Sequence, residues 1–323
     1  MELSKVLNSA KLEQIHSKIK DKIIQTPCIY SEFLSSRYGH DIYLKLENLQ
    51  KTGAFKIRGN SYKLSRMENS ELKNGVVTAS SGNHGLGLSL AASLKGIRAE
   101  IFVPQQTPEN KIEKIKSYGA EVTIKGENYD RAVEYAKAKA RDEDLTYIPS
   151  FDDRDIIKGN TTLGYEIFTR VKNPARILVP VGGGGGISGI SIARDKMSPQ
   201  TEIVGVEAVG AASMKGSIER GKRIKLEKVS TLADGIKVAQ PGKLTYEIVK
   251  RKVAEIKTVS EAEMKKVFRE LLLKAGIVVE LAATASVAAL DKIDFTAIDK
   301  PLVCVVTGGN IDKDLILDIL KED

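Results

Sequence analysis

The spacing of hydrophobic and polar residues predicts an alternation of helices and strands along the chain. In segment 9–24 the apolar residues fall three or four positions apart, which is the spacing of one helix face. They are Leu12, Ile15, Ile19 and Ile23. Thr26-Pro27 then ends the predicted helix. In residues 41–47 apolar and polar positions alternate instead, which predicts a strand leading straight into a loop at residues 50–60.

From residue 75 onward, short apolar runs alternate with amphipathic segments. The predicted order is strand 75–78, helix 86–94, strand 99–103, helix 109–118, strand 120–124 and helix 129–140. A second series begins near residue 155 with a helix and continues with strand 176–181, helix 187–196 and strand 203–207. Strand followed by helix, repeated in this way, predicts parallel sheets joined by helical crossovers.

The C-terminal part contains a helix whose ends are marked by sequence signals. Ser260 and Glu263 form a capping box at the start of helix 261–275, and Gly276 closes it. The last predicted strand, 302–306, runs into the loop Thr307-Gly308-Gly309-Asn310. This strand and strand 42–46 both lead into candidate site loops, so we expect the N-terminal segment to fold with the C-terminal half.

We therefore expect an α/β protein of two domains with twisted, mainly parallel sheets flanked by helices. The large domain would comprise residues 1–67 and 151–323, and residues 68–150 would form a smaller inserted domain. The 323 residues, 42% of them hydrophobic, are sufficient for two such cores.

Composition excludes several classes of protein. The first residues contain no apolar signal segment, and Glu280 and Thr284 interrupt the longest apolar stretch, so we expect neither export nor a membrane span. Two cysteines and three histidines argue against a disulfide framework and a zinc hydrolase, and favour a cytoplasmic location.

A net charge of +8 raises the question of a nucleic-acid partner. The basic residues are spread along the chain and mixed with glutamates, and the sharpest cluster, residues 222–225, contains no aromatic residue for base stacking. We therefore expect a solvated surface and no nucleic-acid partner. An anionic small-molecule ligand would account for the positive charge equally well.

Lys56 is a candidate nucleophile within the loop at residues 50–60. Ala54, Phe55 and Ile57 surround it in the sequence, and burial among such neighbours disfavours the charged ammonium. A lysine in this setting can present the free amine that imine chemistry requires. Taken by itself, however, the stretch favours an ordinary surface lysine.

A run of glycines, 182–186, follows a predicted strand and opens a predicted helix. Consecutive backbone N–H groups and the positive end of the helix dipole favour a bound phosphate. A rival interpretation is a dinucleotide site, because Gly184, Gly186 and Gly189 satisfy G-x-G-x-x-G and Glu207 ends the next strand. The mid-chain position favours a phosphate monoester, and a dinucleotide would leave Lys56 and Asn83 without a role.

The loop Ser80-Ser81-Gly82-Asn83-His84 is a second small, polar connection between a strand and a helix. Its backbone N–H groups and hydroxyls suit the carboxylate of an amino acid. Taken alone, His84 would more often be a structural residue.

These motifs, in this order and spacing, resemble those of the pyridoxal-phosphate (PLP) dependent serine/threonine dehydratases, a family that also includes serine racemases. They are KTGAFKIRG around Lys56, SSGNHG, the glycine run, LADG at 232–235 and TGGN at 307–310. The resemblance covers nearly the whole chain and implies the tryptophan synthase β fold, PLP fold type II. By motif, Lys56 resembles the Schiff-base lysine, Asn83 the side chain at the ring hydroxyl, and Gly182, Gly183, Gly184 and Gly185 the phosphate cradle. Gly235 would lie beside the ring, and Thr307 would face the pyridine nitrogen.

The resemblance implies an ammonia-lyase that converts L-threonine to 2-oxobutanoate, or L-serine to pyruvate, with release of ammonia. A neutral hydroxyl at Thr307 does not hold a proton on the pyridine nitrogen, so the ring is a weaker electron sink, which suits elimination. Lys56 would remove the α-proton, and the β-hydroxyl would leave with proton help from the cofactor phosphate. The alternatives are a serine racemase, a dinucleotide-binding oxidoreductase and a catalytically silent ligand-binding relative.

Several positions depart from the family pattern. Ala54 replaces a common serine, Gly186 replaces leucine or methionine, and Leu281 replaces the proline after Glu280, which leaves the role of that glutamate open. Ser81 stands where most dehydratases have alanine and where racemases have a serine facing the α-carbon, so a second catalytic role as proton carrier is a hypothesis. Because the sequence ends at residue 323, we expect no C-terminal regulatory domain.

Two further expectations follow from the resemblance. Glu207, Ala211 and Ser213 match the spacing at which family members hold a metal, and one carboxylate with neutral oxygens fits a monovalent ion such as potassium. A capped loop without an ion is the alternative. We also expect a homodimer or homotetramer.

Overall fold

The protein is described here by a computed structural model that covers residues 8–322. Its strands are β1 Cys28–Tyr30, β2 Ile42–Leu46, β3 Val76–Ala79, β4 Ala99–Val103, β5 Glu121–Ile124, β6 Thr146–Tyr147, β7 Arg176–Pro180, β8 Glu202–Ala208, β9 Glu255–Val259 and β10 Leu302–Val306.

The α-helices cover most of the remaining chain. They are α1 Ser9–Ile19, α2 Glu32–Tyr38, α3 Lys56–Arg66, α4 Asn69–Leu72, α5 Asn83–Ser93, α6 Glu109–Ser117, α7 Tyr129–Asp142, α8 Arg154–Arg170, α9 Gly185–Met197, α10 Ser213–Glu219, α11 Lys243–Lys252, α12 Glu261–Ala275, α13 Leu281–Ala288 and α14 Lys313–Lys321. Among residues 8–322, no helix combines the length and the apolar character needed to cross a membrane.

The strands form two sheets. The six-stranded sheet has the order β1-β2-β10-β7-β8-β9, with β1 antiparallel and the other neighbours parallel. The four-stranded sheet has the order β5-β4-β3-β6 and is parallel throughout. This architecture confirms the predicted fold class, an α/β protein with mainly parallel sheets flanked by helices.

Strand β10 explains why its sequence is apolar at every position. Leu302, Cys304 and Val306 pack into the hydrophobic core on one side of the large sheet, and Val303 and Val305 pack into the core on the other side. Helices therefore cover both faces, and a strand buried on both faces shows no alternation of apolar and polar residues. The strands of the small sheet form a core of their own with α5 and α6.

The predicted ends of several elements agree with the structure, whereas two predictions differ from it. Helix α12 has the predicted bounds, its capping box at Ser260 and Glu263 is present, and Gly276 ends it in the left-handed region at φ 64°. Lys56, which we placed in a loop, is instead the first residue of helix α3. Helix α1 is also shorter than predicted, since a 3₁₀ turn at Lys20–Lys22 follows it.

Candidate active site

A cavity of about 830 Å³ lies between the two sheets, at the carboxyl ends of β3, β7 and β10. Ligand sites of open parallel sheets form at these strand ends. The cavity is lined by the residues that the sequence motifs singled out for the lysine, the carboxylate loop, the glycine run and the two ring contacts. They are Lys56, Ser80, Ser81, Gly82, Asn83, His84, Gly182, Gly183, Gly184, Gly185, Gly235 and Thr307.

Lys56 extends from the first turn of α3 into this cavity. Its Nζ donates a hydrogen bond to the carbonyl oxygen of Ser150 at 3.2 Å and lies 5.3 Å from the centre of the Phe55 ring. Burial lowers the pKa of the Lys56 ammonium to about 8, although the nearby carboxylate of Glu280 acts in the opposite direction. A free amine is therefore accessible near neutral pH, as nucleophilic chemistry requires.

A buried ion network fixes the helix that carries Lys56. The Arg58 guanidinium is fully buried and contacts both oxygens of Glu47 and both of Glu166, at 2.7 to 2.8 Å. Lys45 Nζ lies 2.6 Å from Glu166, so two cations balance two carboxylates. With its charges paired and hydrogen-bonded, the network ties the first turn of α3 to β2 and α8.

The loop before α5 contains the predicted carboxylate site. The Gly82 N–H donates to the Ser80 hydroxyl at 3.3 Å, and no side chain caps the start of α5 at Asn83. The N–H groups of this helix start are thus available to an anion. The Ser81 hydroxyl lines the cavity and is partly exposed.

His84 anchors this loop through the polar contacts of its imidazole ring. Its buried Nε2 lies 3.1 Å from Thr78 Oγ1 and 3.2 Å from the carbonyl oxygen of Ile148. Burial, together with the positive charge of Lys56, lowers the pKa of the imidazole to about 3, so the ring is neutral. The ring therefore positions the loop, and a contact of His84 with substrate stays a prediction.

The glycine run forms a tight turn that leaves no room for side chains. A Cβ at Gly183 would lie 2.3 Å from Phe151 Cδ1, and Gly184 has a φ of 90°, in the left-handed region. Helix α9 begins at Gly185 and no side chain caps its start, so its first N–H groups are available to an anion. This arrangement suits a phosphate group.

Asn83 belongs to a hydrogen-bond network that the sequence did not reveal. Its Nδ2 lies 2.9 Å from both carboxylate oxygens of Glu280, and its Oδ1 accepts from Asn310 Nδ2 at 2.7 Å. Burial raises the pKa of Glu280 to about 7, the Asn83 hydrogen bond opposes the shift, and Asp234 adds to it. Glu280 and Asn310 were visible only as members of motifs, because a single sequence does not show which motif residues meet.

The sequence model of one family, the pyridoxal-phosphate dependent enzymes, matches residues 19–308. The chain belongs to this family. The match confirms the family predicted from the motifs and sets aside the dinucleotide-binding oxidoreductase. Glu207, which would bind the ribose in that interpretation, instead accepts hydrogen bonds from the N–H groups of Met214 and Lys215, both at 2.8 Å.

Relatives within the pyridoxal-phosphate dependent enzymes include dehydratases and racemases. The chain is similar to the biosynthetic L-threonine dehydratase IlvA of Lactococcus lactis, with 40% identity over 95% of this chain and 76% of the relative. Among solved structures, it is similar to a processed form of threonine deaminase isoform 2 from Solanum lycopersicum (TM-score 0.89, 32% identity, 97% and 93% coverage). It is also similar to maize serine racemase (TM-score 0.91, 27% identity, 97% and 96% coverage).

The residues present fit the cofactor of the pyridoxal-phosphate dependent enzymes. The glycine turn offers uncapped N–H groups to a phosphate, and its neighbours Phe151 and Thr245 occupy the positions that side chains would need. Lys56 and Asn83 line the same cavity. The cavity therefore joins an anion site, a deprotonatable amine and an amide.

The three residues predicted to bind a cation lie outside this cavity lining. Glu207, in β8, and Ser213, the first residue of α10, are fully buried, and Ala211 ends the 3₁₀ turn Val209–Ala211 between them. Within the described part of the chain, Ser213 Oγ is buried without a hydrogen-bond partner. Burial raises the pKa of Glu207 to about 7, whereas the Lys215 and Met214 N–H groups act against the shift.

Proposed function

We propose that the protein is a PLP-dependent L-threonine/L-serine ammonia-lyase that forms 2-oxobutanoate or pyruvate and ammonia. The observation that carries this proposal is the convergence of Lys56, the loop Ser80–His84 and the glycine turn on one cavity. The threonine dehydratase and deaminase relatives support the same reaction.

Each side chain has a role that its position supports. The cofactor supplies an electron sink that stabilises the carbanion formed at the substrate α-carbon. The N–H groups at the start of α5 hold the substrate carboxylate, and Lys56 Nζ takes the α-proton. The first turn of α9 holds the phosphate. Thr307, which is almost fully buried, would place a neutral hydroxyl at the pyridine nitrogen, and such a hydroxyl would not hold a proton there.

The direct test is to incubate the purified protein with each amino acid while the formation of 2-oxo acid and the ratio of enantiomers are followed. The ammonia-lyase proposal expects 2-oxobutanoate from L-threonine or pyruvate from L-serine. A yellow protein that forms neither product would contradict it.

A serine racemase activity is the second candidate, and Ser81 favours it. Racemisation requires proton carriers on both faces of the planar intermediate, and Lys56 can serve only one face. We infer that Ser81 carries the proton on the other face and that racemisation is a slow side reaction of the site. The place of Ser81 in the cavity lining and the similarity to maize serine racemase support this inference. Racemisation should be slow, because within residues 8–322 no side chain makes a hydrogen bond that would activate the Ser81 hydroxyl.

We further propose a monovalent cation, potassium, at Glu207, Ala211 and Ser213. The buried and unpartnered hydroxyl of Ser213 supports it, because such a group is costly unless it binds a ligand. Equal activity in potassium, sodium and a bulky organic cation would argue for the capped loop without an ion.

The domain division and the assembly are also proposals. The strands of the small sheet fall between residues 76 and 147, which supports an inserted domain at residues 68–150. Exposed apolar side chains on the neighbouring helices α12 and α14, Leu273, Leu317 and Leu320, support a homodimer or homotetramer, which light scattering would test. The cytoplasmic location stays a prediction.

A further inference from the structure

Four polar side chains, joined by hydrogen bonds, cross the cleft between the two sheets; we call this series the amide chain. Lys114 Nζ, on helix α6, donates to Asn310 Oδ1 at 2.6 Å, and Asn310 Nδ2 donates to Asn83 Oδ1 at 2.7 Å. Asn83 Nδ2 in turn lies 2.9 Å from both oxygens of Glu280. The amide chain begins on a helix that packs beside the small sheet, and it passes through Asn310, which follows a strand of the large sheet.

The amide chain determines which way the Asn83 amide points. Asn310 Nδ2 also donates to the carbonyl oxygen of Thr52 at 2.8 Å, so both of its hydrogens are used on acceptors. Its oxygen must then face a donor, and that donor is Lys114. Because Asn310 presents its nitrogen to Asn83, Asn83 must present its oxygen to Asn310 and its nitrogen to Glu280.

Glycines in the surrounding backbone leave room for the amide chain. Gly53 adopts a φ of 71°, and a Cβ there would lie 2.6 Å from Asn310 Oδ1. A Cβ at either Gly235 or Gly308 would lie 2.9 Å from Glu280 Oε1. Side chains at these positions would displace the amide or the carboxylate, so the arrangement depends on three glycines from three segments.

We propose that Lys114 is a positioning residue, which by docking on Asn310 fixes the Asn83 amide with its nitrogen toward the cofactor and so couples the placement of helix α6 to cofactor binding. This inference rests on the proposed function as a PLP-dependent enzyme, because the family resemblance behind that function places Asn83 at the ring hydroxyl of the cofactor. The Asn83 nitrogen carries two hydrogens, so it can serve Glu280 and a ring oxygen together. If the amide turned over, its oxygen would meet the Glu280 carboxylate, and oxygens without a hydrogen between them repel each other.

Helix α6 offers a matched control for Lys114. Lys111 lies one turn earlier on the same helix and also crosses the cleft, where its Nζ pairs with Asp234 at 3.1 Å. It makes no hydrogen bond to Asn310 or Asn83. Loss of Lys111 therefore tests cleft crossing in general, whereas loss of Lys114 tests the amide chain.

The experiment is a double-mutant cycle on the affinity of the apoprotein for PLP, measured by absorbance titration. It compares the wild type, Lys114→Met, Asn83→Ala and the double variant, and then repeats the cycle with Lys111→Met. We expect Lys114→Met to weaken PLP binding about two- to tenfold in the wild type, the range for one lost hydrogen bond. In the Asn83→Ala background, Lys114→Met should have no further effect. Lys111→Met should change the affinity by the same factor in both backgrounds.

A further variant, Lys114→Arg, retains a hydrogen-bond donor and should therefore keep most of the affinity for PLP. If Lys114 served only the packing of the helix, Lys114→Arg would weaken PLP binding as much as Lys114→Met. An equal effect of Lys114→Met with and without Asn83, or no effect at all, would overturn the proposal. The titration needs no turnover, so its outcome is separate from the proposed reaction. Coupling without any 2-oxo acid would leave the positioning role intact and remove the reaction, and 2-oxo acid without coupling would do the reverse.

Discussion

Lys56 can act as nucleophile and base only after its ammonium loses a proton, and its burial makes that loss easier by lowering its pKa to about 8. We expect Lys56→Ala to abolish covalent attachment of the cofactor and to slow elimination by at least about 10²- to 10⁴-fold, the usual contribution of a general base. Visible absorbance and 2-oxo acid formation measure the two effects. Borohydride reduction of the wild type should label Lys56, and a label on another lysine would remove the central assignment.

Ser81 allows a test that separates two reactions of the same site. Wild-type protein should form D-serine slowly from L-serine, and Ser81→Ala should form none, because the second face then lacks a proton carrier. Elimination to pyruvate should persist in the variant, since Lys56 still removes the α-proton. Chiral chromatography and pyruvate release provide the measurements. The racemising role fails if the wild type forms no D-serine or if Ser81→Ala leaves its yield unchanged.

Individual site residues differed in how well their sequence context predicted them. Lys56 and the glycines could be identified because each sits in a motif with a local physical reason, such as small neighbours or free N–H groups. The partners of Asn83 could not, because Glu280 and Asn310 are 197 and 227 residues away along the chain. Only the fold brings them into contact, and a single sequence contains no record of such pairs.

Helix α3 shows why hydrophobic periodicity missed an element. Four successive residues near its start, Arg58, Gly59, Asn60 and Ser61, are buried although none of them is apolar, so burial does not follow hydrophobicity there. Arg58 is buried by virtue of its ion network, and Gly59 is buried because α8 approaches so closely that its Cβ would lie 3.0 Å from Ile156. Helix α13 was missed for the opposite reason, since it is buried on all sides and shows no polar face.

The elements that were predicted well share a simple property. Strands 99–103 and 302–306 are short, mostly apolar runs with polar or turn-forming residues close to each end, and their predicted bounds are those of β4 and β10. Helix α12 combines a one-sided apolar stripe with caps at both ends. Where local signals and tertiary burial agree in this way, the sequence predicts an element and its limits.

The turn that opens helix α9 allows a prediction about the phosphate site. We expect Gly183→Ala to weaken PLP binding by at least about tenfold, because its Cβ would lie 2.3 Å from the Phe151 ring and would displace the ring or the turn. Gly186→Ala is the matched control, since its Cβ would meet the Phe55 ring at 3.3 Å, where a small movement suffices. The titration of apoprotein with PLP compares the two. Equal affinity of both variants would show that the turn tolerates a side chain and does not cradle the phosphate closely.

At the level of the whole molecule, the cleft is bridged on two sides. Lys111 pairs with Asp234 at 3.1 Å on the side of α6, and Lys225 pairs with Asp130 at 3.0 Å on the side of α7. These pairs are largely exposed to solvent, so each contributes little to stability on its own. The cofactor contacts residues from both sheets in the proposed site, and it is therefore expected to be the stronger link between them.

Removal of PLP should accordingly destabilise the protein as a whole. A ligand that binds only the folded state raises the free energy of unfolding by about 2.7 kcal/mol at a free concentration of 100 times its dissociation constant, and by about 4.1 kcal/mol at 1,000 times. We expect the melting temperature of the apoprotein to rise steadily as PLP is added over this range, as calorimetry can measure. Pyridoxal, which lacks the phosphate, should raise it less at equal concentration, because the first turn of α9 then has no anion to bind. If PLP left the melting temperature unchanged while its absorbance showed binding, the cofactor would lie outside the cleft that joins the two sheets.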